Sequence, residues 1–224
     1  MNRWQEVVKL TFRVTLAEGT RIGGSGGGLQ IGETVEPNLM AIRNPANGEF
    51  YIPGSSLKGK LRSVLERELG KCEGGSPCTC GRVDCLVCTV FGAHLKPKPD
   101  CAPTRIVVRD SPMSVDAKAS FIEAQRTGAP TVEEKTENII NRKSGAAEHP
   151  RTGERVLADT TFDGEILLHI YEGDDARKMT DFVRHGLGII QEASSIGASG
   201  SRGYGKVRFE NIKEETLRVS ELKV

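Results

Sequence analysis

Five of the six cysteines crowd into KCEGGSPCTCGRVDCLVC, from Lys71 to Cys88: Cys72, Cys78, Cys80, Cys85 and Cys88. The core spacing is Cys80-x4-Cys85-x2-Cys88. Zn²⁺ takes about four nitrogen or sulfur ligands in a tetrahedron, and short cysteine spacings on turns supply them. The metal also stabilises the thiolates it needs. Five candidates for four places leave the ligand set open, with Cys85 and Cys88 heading it; loose surface cysteines are the alternative. A Gly- and Pro-rich stretch of this kind needs a staple, so the expected zinc is structural and closed rather than catalytic. Cys101 falls outside the set.

Two other segments suit an anion. In IPGSSLKGKLR, Ile52 to Arg62, the backbone N–H groups of a helix start stand beside Ser55, Ser56, Lys58, Lys60 and Arg62. The helix dipole, the hydroxyls and the cations all favour phosphate there; an ordinary capped helix with solvated lysines is the competing reading. The loop GASGSRGYGKV, Gly197 to Val207, lets backbone approach a ligand closely, with Arg202 and Lys206 near and Tyr204 able to stack or to pack. It is no Walker motif, because no G-K-[ST] closes it and it precedes a strand. The histidines, His94, His149, His169 and His185, form no Ser/His/Asp order and no HExxH.

The elements that must position these groups follow from periodicity. Val8, Leu10, Phe12, Val14 and Leu16 alternate with polar residues, a strand with one apolar face. RIGGSGGGLQIG, Arg21 to Gly32, has six glycines in twelve residues and cannot hold regular structure. Extended pieces at 40–43 and 49–52 flank a turn. Leu57, Leu61, Val64, Leu65 and Leu69 make one helical stripe, N-capped by Ser55 or Ser56 and ended by Gly70. Residues 71–104 carry no periodicity, and RIVVR at 105–109 reads as a short strand. Residues 114–160 are polar and lack aliphatic periodicity, which predicts a functional loop or a disordered arm. Its cations include Arg142, Lys143, Arg151 and Arg155, facing acids such as Glu133, Glu134, Glu137, Glu148 and Glu154. A strand at 162–171, a helix at about 176–191 and a last strand at 207–212 complete the order. Two strand–helix–strand units with insertions predict an α+β, ferredoxin-like (RRM-like) core in a single domain, 1–224.

Length and composition agree with one domain: 224 residues, 37% apolar, 5% aromatic and a net charge of +1. That balance excludes a histone-like or polybasic chain but not a local basic surface. No run of 18 apolar residues predicts a membrane span, and MNRWQEVVKL has no apolar secretory core, so a cytoplasmic protein is expected.

Several pieces resemble one family: the repeated Csm-type backbone subunit, of the RAMP superfamily and Cas-seven family, in type III CRISPR effector complexes. They are RIGGSGGGLQIG, YIPGSSLKGKLRSVLE, CLVCTVFG at 85–92, EKTENIINRKSGAAEHPRTGERV and GASGSRGYGKV, in that order along most of the chain. The resemblance implies a zinc or lid insertion at 71–104 and a thumb insertion at 114–160. It implies copies stacked along a guide (CRISPR) RNA beside other type III subunits, with each thumb tip wedging into the guide–target duplex. RNA contacts are then expected at Arg21, Gly24, Ser55, Ser56, Lys58, Lys60, Arg62, Lys135, Asn138, Arg142, Arg151, Arg155, Ser201, Arg202, Gly203 and Lys206. It also implies target-RNA cleavage at regular intervals by an acid after the first Gly-rich stretch, with Mg²⁺ or another divalent metal. The family pattern there reads like IGxVDNPVIR, with a catalytic Asp; this chain reads IGETVEPNLMAIR, with no Asp before Asp84. Glu36 follows Val35 as the Asp would, Glu33 is the second candidate, and a catalytically silent guide-RNA scaffold is the third reading. A guide-processing endoribonuclease of the same superfamily is disfavoured, because such enzymes usually use a His base and no His precedes His94. A zinc-stabilised RNA binder outside CRISPR is the remaining alternative.

Overall fold

The computed structural model describes residues 3–23, 41–72, 74–93 and 100–221. Its elements in chain order are β1 (Trp4–Leu16), β2 (Tyr51–Ile52), α1 (Gly54–Glu68), α2 (Leu86–Phe91), β3 (Ile106–Val108), β4 (Ser111–Pro112), α3 (Val115–Thr127), β5 (Val132–Ile140), β6 (Ala147–Val156), β7 (Thr161–Tyr171), α4 (Ala176–Ala193) and β8 (Val207–Arg218). The fold is mixed α/β with antiparallel sheets.

The main sheet runs β3-β7-β1-β8. β1 pairs antiparallel with β7 on one side (Leu10 opposite Ile166) and β8 on the other (Val14 opposite Phe209). Its even-numbered residues Val8 to Leu16 are buried, while Lys9, Thr11 and Arg13 stand half-exposed on the other face. Burying each such large aliphatic side chain contributes about 1.5–3 kcal/mol. α1 and α4 cover the apolar face: Leu57, Leu61 and Leu65 meet Val183, Leu187 and Ile190 in one core with the strands. No helix among the described residues is long and apolar enough to cross a membrane.

Four expectations need correction. Neither Ser55 nor Ser56 caps α1; its N-cap is Pro53 without a side-chain bond, and Asp110 accepts from the Gly54 N–H at 2.7 Å. The carboxylate comes from after β3, so no local pattern announces it. The 71–104 stretch is not wholly irregular, since Cys85 to Gly92 wrap the short helix α2. Residues 114–160 are neither an irregular loop nor a disordered arm: they form α3 and the β5–β6 hairpin. α3 buries only Phe121 among its apolar residues, which is why no stripe marks it. It is held by local signals instead, Ser114 accepting from the Ala117 N–H and Gly128 ending the helix at φ 73°. The last strand also runs further than 207–212, with mostly exposed residues in its outer half.

Candidate functional site

The cysteine loop resolves five candidates into four. Cys78, Cys80, Cys85 and Cys88 bring their sulfur atoms within 4.8 Å of one another and could hold a metal ion. Cys88 Sγ lies 3.6 Å from Cys80 Sγ and 3.7 Å from Cys78 Sγ. Four sulfurs about 2.3 Å from a tetrahedral zinc would be about 3.8 Å apart, so this donor set fits. Cys72 is exposed and outside the group; Cys101 is buried and also outside it, its N–H donating to the Gly81 carbonyl and its carbonyl accepting from Arg105. Burial pushes the Cys88 and Cys78 thiols up, whereas the Arg82 backbone N–H draws Cys80 down to about 7. Metal-free, Cys80 therefore gives up its proton more readily than Cys78 or Cys88; a bound cation favours the thiolate.

The loop is anchored to α1. Glu66, 4% exposed, accepts from the Cys78 N–H at 2.9 Å and pairs with Arg62 at 2.8 Å. Arg62 also donates to the Cys78 carbonyl at 2.7 Å. Among the cations expected at RNA, Arg62 is thus engaged in a structural link. Lys58 and Lys60 are half-buried, and desolvation lowers both pKa values; Lys58 Nζ lies 3.4 Å from the Ile106 carbonyl. A nearby phosphate would offset that desolvation by favouring the charged form.

Four other expected RNA contacts meet at one junction, where the hairpin base joins the second Gly-rich loop. Lys135 donates to the Arg202 carbonyl at 2.9 Å, Arg155 to the Gly203 carbonyl at 3.1 Å, and Arg202 pairs with Glu137 at 2.7 Å. Tyr204, 3% exposed, packs rather than presenting a free stacking face: Lys135 and Arg155 stand over its ring at 4.4 and 4.6 Å. Burial raises the Tyr204 pKa, helped by the nearby charge of Glu137. The loop also lies against the backbone beside Arg21, whose carbonyl accepts from the Ala198 N–H. Gly197 and Gly205 permit this, since both have φ near 80° and a Cβ would come within 2.3 Å of a carbonyl oxygen.

The other expected contacts are dispersed. Ser55, Asn138, Arg142, Arg151, Ser201 and Lys206 are exposed, and Ser56 is half-buried. Gly24, Glu33 and Glu36 lie outside the described residues. The positions flanking that segment, Gly23 and Ala41, bridge each other. They are tied to the hairpin base by Glu154, which is buried, accepts from the Ala41 N–H at 3.2 Å and pairs with Arg43 at 3.0 Å. Glu66 and Asp110 were not singled out from the sequence, and Glu154 figured there only as one of the arm's balancing acids. Only Glu66 had a usable signal, its i+4 spacing from Arg62.

The chain matches the RAMP superfamily model over residues 19–208. It is 36% identical over 222 residues to the CRISPR system Cms endoribonuclease Csm3 of Methanothermobacter thermautotrophicus, covering 94% of this chain and 86% of that protein. It is 37% identical to the Csm3 of Methanocaldococcus jannaschii, over 89% of this chain and 77% of that one. Among solved structures it is similar to a Csm3–Csm4 subcomplex of a type III-A CRISPR-Cas interference complex, with a TM-score of 0.62 and 26% identity, over 97% of this chain and 83% of that one. A type III-B Cmr-β complex bound to cognate target RNA shares the fold, with a TM-score of 0.59 at 17% identity. The chain belongs to the RAMP superfamily and, within it, to the Csm3 family.

Proposed function

We propose that this chain is a repeated backbone subunit of a type III CRISPR RNA-guided complex, binding guide RNA and cleaving target RNA at regular intervals. Similarity to Csm3 proteins over nearly the whole chain carries the reading. The junction that gathers Lys135, Arg155 and Arg202 against a close-packed Gly loop supports it chemically. Sequence is read by base pairing between guide and target, so the protein needs only to grip backbone.

The strand order β8-β1-β7-β3, with α1 and α4 on one face, supports a ferredoxin-like core. On this reading the hairpin with α3 is the thumb, and the four clustered cysteines hold a structural zinc. The chain stacks with further copies of itself and with other type III subunits in the cytoplasm.

Cleavage of an internal RNA linkage needs a 2′-oxygen or a water in line with the scissile phosphate, and target nucleotides drawn out of stacking. The hairpin is the element long enough to do that. Glu36 is the proposed catalytic acid, with Glu33 the weaker candidate; a divalent metal would neutralise phosphate charge there. The bridge between Gly23 and Ala41, with Glu154 accepting from the Ala41 N–H, ties the flanks of that stretch to the hairpin base.

The test is the assembled complex with guide and labelled target. Glu36→Ala is expected to abolish Mg²⁺-dependent cuts at regular spacing while guide and target binding survive, and Glu33→Ala to leave most activity. Unchanged cutting by Glu36→Ala removes Glu36 from the mechanism. No cutting by the parent complex favours the scaffold.

A further inference from the structure

Glu133, Lys135 and Glu137 alternate onto one face of β5 and meet the second Gly loop. They make two ion pairs of different character. Arg155 is sealed, 11% exposed, paired with Glu133 at 2.5 Å and bonded to the Gly203 carbonyl. Arg202 is open, 58% exposed, paired with Glu137 at 2.7 Å and donating to Ser199 Oγ at 2.6 Å. The Glu137 carboxylate also lies beside Tyr204, which is pinned beneath Lys135 and Arg155.

We propose that Glu137 gates an RNA-phosphate position at Arg202: its carboxylate holds that position in the free chain, and a phosphodiester of bound RNA takes it by displacement. This rests on the RNA-backbone reading above and adds to it an acid that competes with the ligand. A guanidinium fork fits carboxylate and phosphate alike. Exposed ion pairs contribute little to stability, so the exchange costs little. A polyanion that replaces the carboxylate gains counterion release besides. Arg155 and Lys135 keep the hairpin on the loop throughout, because neither depends on Glu137 for its bond there. Tyr204 is buried and stays in place, so the gate opens by breaking the Arg202–Glu137 ion pair. Until it opens, the Glu137 charge opposes any phosphate at Arg202 and lowers RNA affinity.

The full-length protein is titrated with a fluorescein-labelled oligouridylate at low salt. Glu137→Gln keeps the side chain's shape and removes the charge; binding is expected to tighten about three- to tenfold. The gain should shrink as salt rises. Glu134→Gln, on the opposite face of β5, controls for net charge and is expected to change little. Arg202→Ala should bind more weakly, and in that background Glu137→Gln should add nothing. Equal or weaker binding by Glu137→Gln, the same gain from Glu134→Gln, or a retained gain without Arg202 each overturns the gate and leaves the RNA reading standing. Unchanged binding by Arg202→Ala overturns the gate together with the RNA contact it rests on.

Discussion

Glu66→Ala tests how the cysteine loop is held. The substitution removes two interactions at once, the ion pair to Arg62 and the acceptor of the Cys78 N–H. A hydrogen bond to a charged group contributes about 1.5–3 kcal/mol, and breaking a fully buried pair costs about 3–5 kcal/mol. Here the Glu66 side chain is 5% exposed but that of Arg62 is 21%, and Arg62 keeps its bond to the Cys78 carbonyl. The lower part of the range therefore applies, about 2–3 kcal/mol. For a chain of this size that lowers Tm by about 4–12 °C. Glu66→Gln keeps an acceptor for Cys78 and should cost about 1 kcal/mol. The assay pairs thermal melting with metal content after a chelator challenge; Glu66→Ala should lose metal first. A variant that melts and retains metal as the parent does refutes the link. Arg62→Ala beside Glu66→Ala settles the role of Arg62. If Arg62→Ala loses RNA affinity while Glu66→Ala does not, Arg62 touches RNA directly and its contact with the loop is incidental.

Replacing Cys78, Cys80, Cys85 or Cys88 by Ser should lower zinc from about one per chain, whereas Cys72→Ser should not; loss of metal in Cys72→Ser would reopen the ligand set. Trp4 is the one tryptophan in the sequence and its ring centroid lies 4.6 Å from that of His169, so its emission reports that imidazole. Burial lowers the His169 pKa from 6.5, so the folded chain binds fewer protons there than the unfolded chain. The stability at stake is complete above 6.5 and is lost as pH falls toward the folded value. Emission should fall on acidification with a midpoint below 6.5, and His169→Gln should abolish the transition; a midpoint at or above 6.5 refutes the burial effect.

Where burial follows a period, the sequence exposes the structure. β1 alternates in the main sheet, α1 and α4 carry unbroken apolar stripes, and each falls close to its expected bounds. Cysteine spacing marked the cluster in the same way, though it left Cys72 among the candidates. The hairpin escaped because most of its residues face solvent on both sides, so no alternation was needed. α3 escaped because one phenylalanine docks it. Asp110 and Glu154 act on backbone far away in sequence, at Gly54 and Ala41, and no local window contains both partners. Arg62 shows the converse: its type and place suit phosphate, yet a carboxylate one turn away on the same helix already engages it.

The pairing of β1 has a consequence for how the chain is made. Arg13 meets Asp163 across 150 positions and Thr15 meets Glu210 across 195, so the sheet closes only after nearly all of the polypeptide exists. The cysteine loop and the hairpin need partners only a few turns away and are free to form during synthesis. Loop-closure entropy makes such distant pairing slow. Through most of translation the apolar face of β1, Val8 to Leu16, waits without its neighbours. Unpaired strands of this kind are aggregation-prone, and abundant expression in a foreign host is therefore expected to depend on chaperones or on slowed synthesis.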